Sequence, residues 1–152
     1  MSIAQRIRDL GFEVPAVVPP VASYVPAVSS GRLVFTSGQL PMVDGALPRT
    51  GKVGGEVSAD EATADARQCA LNALAAIQGV IGSLDRITQV VKVTGFVASA
   101  PDFTGQPGVI NGASNVLGEI FGDIGVHARS AVGVAVLPLD SPVEVELTVS
   151  FA

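Results

Sequence analysis

From His127 to Ala152 the chain reads H-A-R-S-A-V-G-V-A-V-L-P-L-D-S-P-V-E-V-E-L-T-V-S-F-A. Val132, Val134 and Val136 alternate with the small residues Ala131, Gly133 and Ala135, a period of two that suits a buried strand. Leu137 to Pro142 breaks the run. Beyond it Val143, Val145, Leu147, Val149 and Phe151 fall on one face, and Glu144, Glu146, Thr148 and Ser150 on the other. The simplest reading is a two-stranded hairpin closed around Pro138 to Ser141. Val136 then lies opposite Val143, Arg129 opposite Ser150 and Glu144 opposite Ala135. Arg129 stands at the mouth, a permanent cation at the edge of an apolar strand. So apolar a pair of strands needs a covering layer, and the rest of the chain is read outward from that need.

Two covering helices are predicted. Ser58-Ala59-Asp60-Glu61 is a capping-box pattern, in which the Ser58 hydroxyl accepts from the Glu61 N–H and the Glu61 side chain reaches back. Ala62, Ala66, Cys69, Ala70, Ala73, Leu74, Ile77 and Ile81 then form an apolar stripe at three-four spacing, ending near Gly82. Cys69 in that stripe reads as a small buried residue, with nothing nearby to activate a thiolate. A second helix is expected over Val109 to Phe121, despite Gly112 and Gly118, after a loop over Ala100 to Gly108. Strands are expected over Ala22 to Val28 and Arg32 to Ser37, joined by a turn at Ser29-Ser30-Gly31, and over Ile87 to Ser99, where Gly95 suggests a bulge. The Gly- and Pro-rich stretch from Gly38 to Gly55 reads as a surface excursion. Ser2 to Leu10 reads as a short amphipathic helix, and Pro15, Pro19 and Pro20 as an extended connector. The division expected is residues 1–21 as N-terminal helix and arm and 22–152 as one domain. The order ββ-α-β-α-ββ predicts an α+β fold, with both helices on one face of a mixed sheet.

Composition narrows the function classes. With 152 residues, 48% hydrophobic and 15% charged, and a mean hydropathy of +0.50, the chain has more apolar surface than one small domain readily hides. An oligomer interface is the natural place for it. No apolar run approaches the roughly 20 residues that a bilayer requires, and no export signal precedes the first strand, so the expectation is a cytoplasmic protein without membrane partners. A net charge of −5 disfavours a general nucleic-acid surface. A single cysteine and a single histidine argue against a Cys/His metal site, and no glycine motif cradles a phosphate; no metal or cofactor is expected.

With Arg129-Ser130-Ala131-Val132, Val136-Leu137-Pro138 and Val143-Glu144-Val145-Glu146 in view, the chain resembles the reactive intermediate deaminase family, also called the YjgF or RidA family. Ser23-Tyr24 with Ala27-Val28, Thr36-Ser37-Gly38-Gln39-Leu40-Pro41, Lys92-Val93 leading to Phe96-Val97, and Asn111 extend the match from Ala22 onward. The resemblance implies a chorismate-mutase-like α+β fold, a homotrimer with ligand clefts between subunits, and hydrolysis of enamines and imines such as 2-aminoacrylate to 2-keto acids and ammonia.

Residue by residue, the resemblance assigns Arg129 to the substrate carboxylate, which its planar fork also suits on physical grounds. It assigns Glu144 to the attacking water, and Tyr24, Ser37, Gly38 and Asn111 to the cleft wall. Ala131 stands where many relatives have a cysteine and would serve through its backbone. Each has a plainer reading. Arg129 could join a structural ion pair, Tyr24 could pack in the core, one of Glu144 and Glu146 could simply be solvated, and His127 could be an ordinary loop histidine. Ser37 lacks the partners of a covalent serine mechanism. Three classes stay open: an imine or enamine deaminase, a non-catalytic small-carboxylate binder, and an endoribonuclease, the last disfavoured by acidity. In the expected hairpin register the two charges stand far apart along the ribbon, so a shared cleft calls either for a bulge that shifts the register or for a neighbouring subunit, with Glu144 from the same or the adjacent chain.

Overall fold

The computed structural model describes residues 1–17 and 22–152. Pro19 and Pro20 of the expected connector lie outside the described residues. Ala27–Ser30 (β1) and Leu33–Thr36 (β2) make the first hairpin, with Ser30 paired to Leu33 across a two-residue turn. Gly31, at φ 59, takes the first central position, where a hairpin turn favours glycine. The strand expected over Ala22 to Val28 is therefore displaced: Ser29 and Ser30 belong to the ladder, and Ala22 to Tyr24 form a bend.

The capping box forms as read. Ser58 Oγ accepts from the Glu61 N–H at 3.1 Å, and Glu61 Oε1 accepts from the Ser58 N–H at 3.1 Å. They start α2, Ala59–Ile81, which ends against Gly82 at φ 84. Its stripe from Ala62 through Cys69 to Ile77 is buried. Ile87–Ala98 (β3) follows a short 3-10 turn. Gln106–Phe121 (α3) begins three residues before the expected start, because Pro107 in its first turn suits a helix beginning, where no N–H is needed. Gly112 has a packing role in this helix. A Cβ on Gly112 would overlap the Thr63 carbonyl of α2, so the missing side chain lets the two helices touch. Gly95 makes no bulge either; the register shifts of β3 fall at Ile87/Gln89 and Val90/Lys92. A Cβ at Gly95 would overlap Ile110, and its absence seats α3 close on the sheet.

Ala128–Val134 (β4) and Val143–Phe151 (β5) both form, yet the hairpin between them does not. The sheet order is β1-β2-β5-β3-β4. β3 lies between them, parallel to β4 and antiparallel to β5. Arg129 is thus paired with Val93 rather than Ser150, and Glu144 with Phe96 rather than Ala135. β2 and β3 both run antiparallel to β5, so the helical crossover between them leaves a gap one strand wide, which the last strand fills. To reach that gap the chain arches over the end of β3: Ser99 N donates to Val134 O and Ala98 N to Pro142 O. Leu139 and Asp140 at φ 58 and 57 shape an arch, not a tight turn.

Both α2 and α3 cover the face that carries Val34, Val90, Val93, Val97, Val145, Leu147 and Val149, the α+β arrangement expected. The other face carries Val28, Phe35, Phe96, Val132, Glu144 and Glu146 and is not covered by a helix. The loop from Gly38 to Gly55 is no surface excursion. Val53 is fully buried and pairs with Ser99, and Arg49 reaches Glu61 and the buried Asp65 on α2. Ile3–Asp9 (α1) is also anchored. Ile7, 2% exposed, joins the core, and Arg6 Nε donates to Glu119 O of α3. Among the described residues no helix is long and apolar enough to cross a membrane.

Candidate functional site

The residues assigned to one cleft fall in two groups on opposite faces of the sheet. Arg129 shares the face of its neighbour Val93, toward the helices, and lies on the edge strand β4. Its Nη1 donates to Asn111 Oδ1 at 2.7 Å and to Ser114 Oγ at 3.3 Å. Asn111 and Ser114 are three residues apart and so share one face of α3. The close seat of Ile110 on Gly95 brings that face within reach of β4. Ala131, beside Gly95, lies two residues along the same strand face and packs against the core. Among the described residues Arg129 has no carboxylate within ion-pair distance. A half-buried guanidinium with free donors is a ready anion site.

Glu144 alternates with the buried Val143 and Val145 and so points to the uncovered face. It lies against Gly38, where a Cβ would overlap its carboxylate. It is half-buried, and that burial, reinforced by the charge of Glu146 two residues on, raises its pKa above the ordinary carboxylate value. Among the described residues it has no hydrogen-bond partner, so its oxygens can serve a water or a ligand. Ser37 donates from Oγ to Val25 O at 2.6 Å, and its N–H donates to Pro26 O. The hydroxyl is engaged in holding the 22–26 segment, and Tyr24 on that segment is 62% exposed, so it is not core packing. Tyr24 and Gly38 open onto a groove of about 850 Å³, with Leu40, Met42 and Leu139 among its walls.

One chain therefore presents an Arg129, Asn111 and Ala131 group at the β4 edge and a Glu144, Gly38, Ser37 and Tyr24 group on the opposite face. With β3 between them, the two charged residues are about 10 Å apart across the sheet and about 10 Å along it. The sequence reading missed Ser114. Its only signal was the three-residue spacing from Asn111. His127 lies in the loop before β4 as read, with both ring nitrogens hydrogen-bonded, to Ser114 Oγ at 2.9 Å and to Gly125 O at 2.6 Å. Cys69 is fully buried, and burial pushes its thiol pKa well up, so it has no part in the chemistry.

Known proteins carry the same architecture. The chain is 43% identical to protein TCP17 of Trypanosoma cruzi over 148 residues, 97% of this chain and 92% of the relative. The solved structure of protein Atu1372 of Agrobacterium tumefaciens, whose function is unknown, superposes with a TM-score of 0.93 at 43% identity, covering 99% of this chain and 94% of that one. Escherichia coli TdcF, solved with bound serine, superposes with a TM-score of 0.63 at 26% identity, covering 88% and 92%. A family model described as "YjgF/chorismate mutase-like, putative endoribonuclease" matches residues 4–151, which include all of α1 but Ile3 as well as both halves of the site. A mixed sheet with its helices on one face, joined to this match along nearly the whole chain, makes the protein a member of the YjgF/chorismate-mutase-like family.

Proposed function

We propose that the protein hydrolyses small 2-imino acids, and the enamines that tautomerise to them, to 2-keto acids and ammonia in clefts between the subunits of a homotrimer. The observation that carries this reading is Arg129: a cation without a carboxylate partner among the described residues, steadied by Asn111 and Ser114, with its remaining N–H groups available to a carboxylate. TdcF, a relative whose structure was solved with bound serine, supports a ligand with a carboxylate. On this reading Arg129 takes the substrate carboxylate. Glu144 of a neighbouring subunit orients a water and accepts a proton as the water oxygen bonds to C2; the C–N bond then breaks and ammonia leaves with the protons returned to it. Only water is consumed.

The separation of the two groups within one chain supports a site assembled from two. Val28, Phe35 and Val132 are exposed on the uncovered sheet face, apolar surface that a second and third copy would cover. Endoribonuclease activity fits less well, since the net charge is −5 and the site offers one arginine to an anion.

An amino-acid oxidase that generates a panel of imino acids, with hydrolysis timed with and without the protein, tests the reaction; unchanged decay across the panel would exclude it. Arg129→Ala is expected to abolish activity with the trimer intact by light scattering, and Glu144→Gln to lower turnover more than binding. Mixed trimers of the two variants should regain part of the activity, because some of their clefts pair an intact Arg129 with an intact Glu144. No recovery in verified mixed trimers, or a monomer at micromolar concentration, would rule out the shared cleft.

A further inference from the structure

Behind Arg129 stands a chain of hydrogen bonds that runs in one direction. His127 Nδ1 lies 2.6 Å from Gly125 O. A carbonyl only accepts, so Nδ1 carries the ring hydrogen, and in that tautomer Nε2 is an acceptor. Ser114 Oγ, 2.9 Å from that Nε2, therefore donates to it. With its one hydrogen committed, Ser114 can only accept from Arg129 Nη1, at 3.3 Å. The second hydrogen of Nη1 goes to Asn111 Oδ1 at 2.7 Å. Both Nη1 hydrogens are thus turned inward to α3, and the N–H groups without partners among the described residues are those of Nε and Nη2. That edge is a two-pronged fork matching the two oxygens of a carboxylate.

We propose that Ser114 and His127 are positioning residues of the carboxylate anchor: His127 fixes the direction of the Ser114 hydroxyl, and Ser114 with Asn111 holds Nη1 so that the Nε and Nη2 edge meets the substrate. His127 is then the base of the anchor and takes no proton from the substrate. This rests on the reading of Arg129 as the carboxylate anchor, and the experiment separates the two.

The probe is 2-oxobutanoate, a small 2-keto acid, titrated calorimetrically into the intact oligomer, with KM and kcat for the corresponding imino acid measured alongside. Ser114→Ala and His127→Ala are each expected to weaken keto-acid binding about five- to tenfold, the scale of one lost hydrogen bond, and to raise KM by a similar factor with little change in kcat. Ser114→Thr keeps the hydroxyl and His127→Gln keeps an acceptor, so both should recover binding to within about twofold of the unsubstituted protein. If Ser114→Ala fails to fold, the His127 pair decides alone. Alanine variants that bind as tightly as the unsubstituted protein while Arg129→Ala loses binding would overturn the positioning role and leave the anchor standing. So would alanine variants whose loss lies in kcat alone, or that threonine and glutamine do not rescue. No binding by the unsubstituted protein, or unchanged binding by Arg129→Ala, would remove the anchor and this inference together.

Discussion

At the scale of residues, Glu144 shows how environment assigns chemistry. Glu144 and Glu146 are read as equals from sequence, since both fall on the polar side of one strand. Burial against Gly38 sets Glu144 apart, and its pKa is raised first by that burial and then by Glu146. The sign follows directly. A carboxyl with a raised folded-state pKa holds its proton to higher pH than in the unfolded chain, so ionising it costs stability as pH rises through that value. Where the ionised form serves as base, turnover is lost as pH falls through the same value. The acid limb of kcat is therefore expected above the ordinary glutamate value, and Glu146→Gln should move it downward; a pH–rate profile whose limb does not respond to Glu146→Gln would separate the limb from Glu144. Residue types were legible in sequence, as Arg129 and Glu144 show. The face of Arg129 was not, because it follows from which residue of which strand lies opposite, and that pairing is long-range.

Elements were legible where the signal was local. The Ser58 and Glu61 cap and the alternation from Val143 to Val149 involve neighbours in sequence, and both form as read. The hairpin misled because two adjacent alternating strands with turn residues between them usually pair. Here β3 offered one edge to each, and only the crossover geometry decides that. Gly112 looked like a weakness of α3 for the same reason: its cause is Thr63, on another helix. Gly112→Ala is expected to destabilise the fold by about 3 kcal/mol, because backbone has to move to admit the methyl group. Gly118→Ala, on the same helix with nothing within 4 Å of the new Cβ, should stabilise by about 0.5 kcal/mol. Urea unfolding of both variants checks the contrast; equal effects would mean that propensity, not helix contact, governs Gly112.

For the whole molecule, the α+β class and the oligomer expectation came from the order of elements and the apolar excess. The arch over β3 was invisible, since nothing within Leu137 to Pro142 says what it spans. That arch places β5 in the middle of the sheet: it is made after the strands on both sides of it and is bordered by β2 on one side and β3 on the other. A nascent chain can form its first hairpin and both main helices, but its sheet stays in two pieces until the nine-residue β5 is available. A chain ending at Pro142 would expose facing edges of β2 and β3 with no strand to bridge them. Limited proteolysis of that truncated chain should show rapid digestion throughout, and protection equal to the full chain would mean that the pieces close without β5. The two halves of the sheet, and the place of Glu144 between them, thus wait on β5.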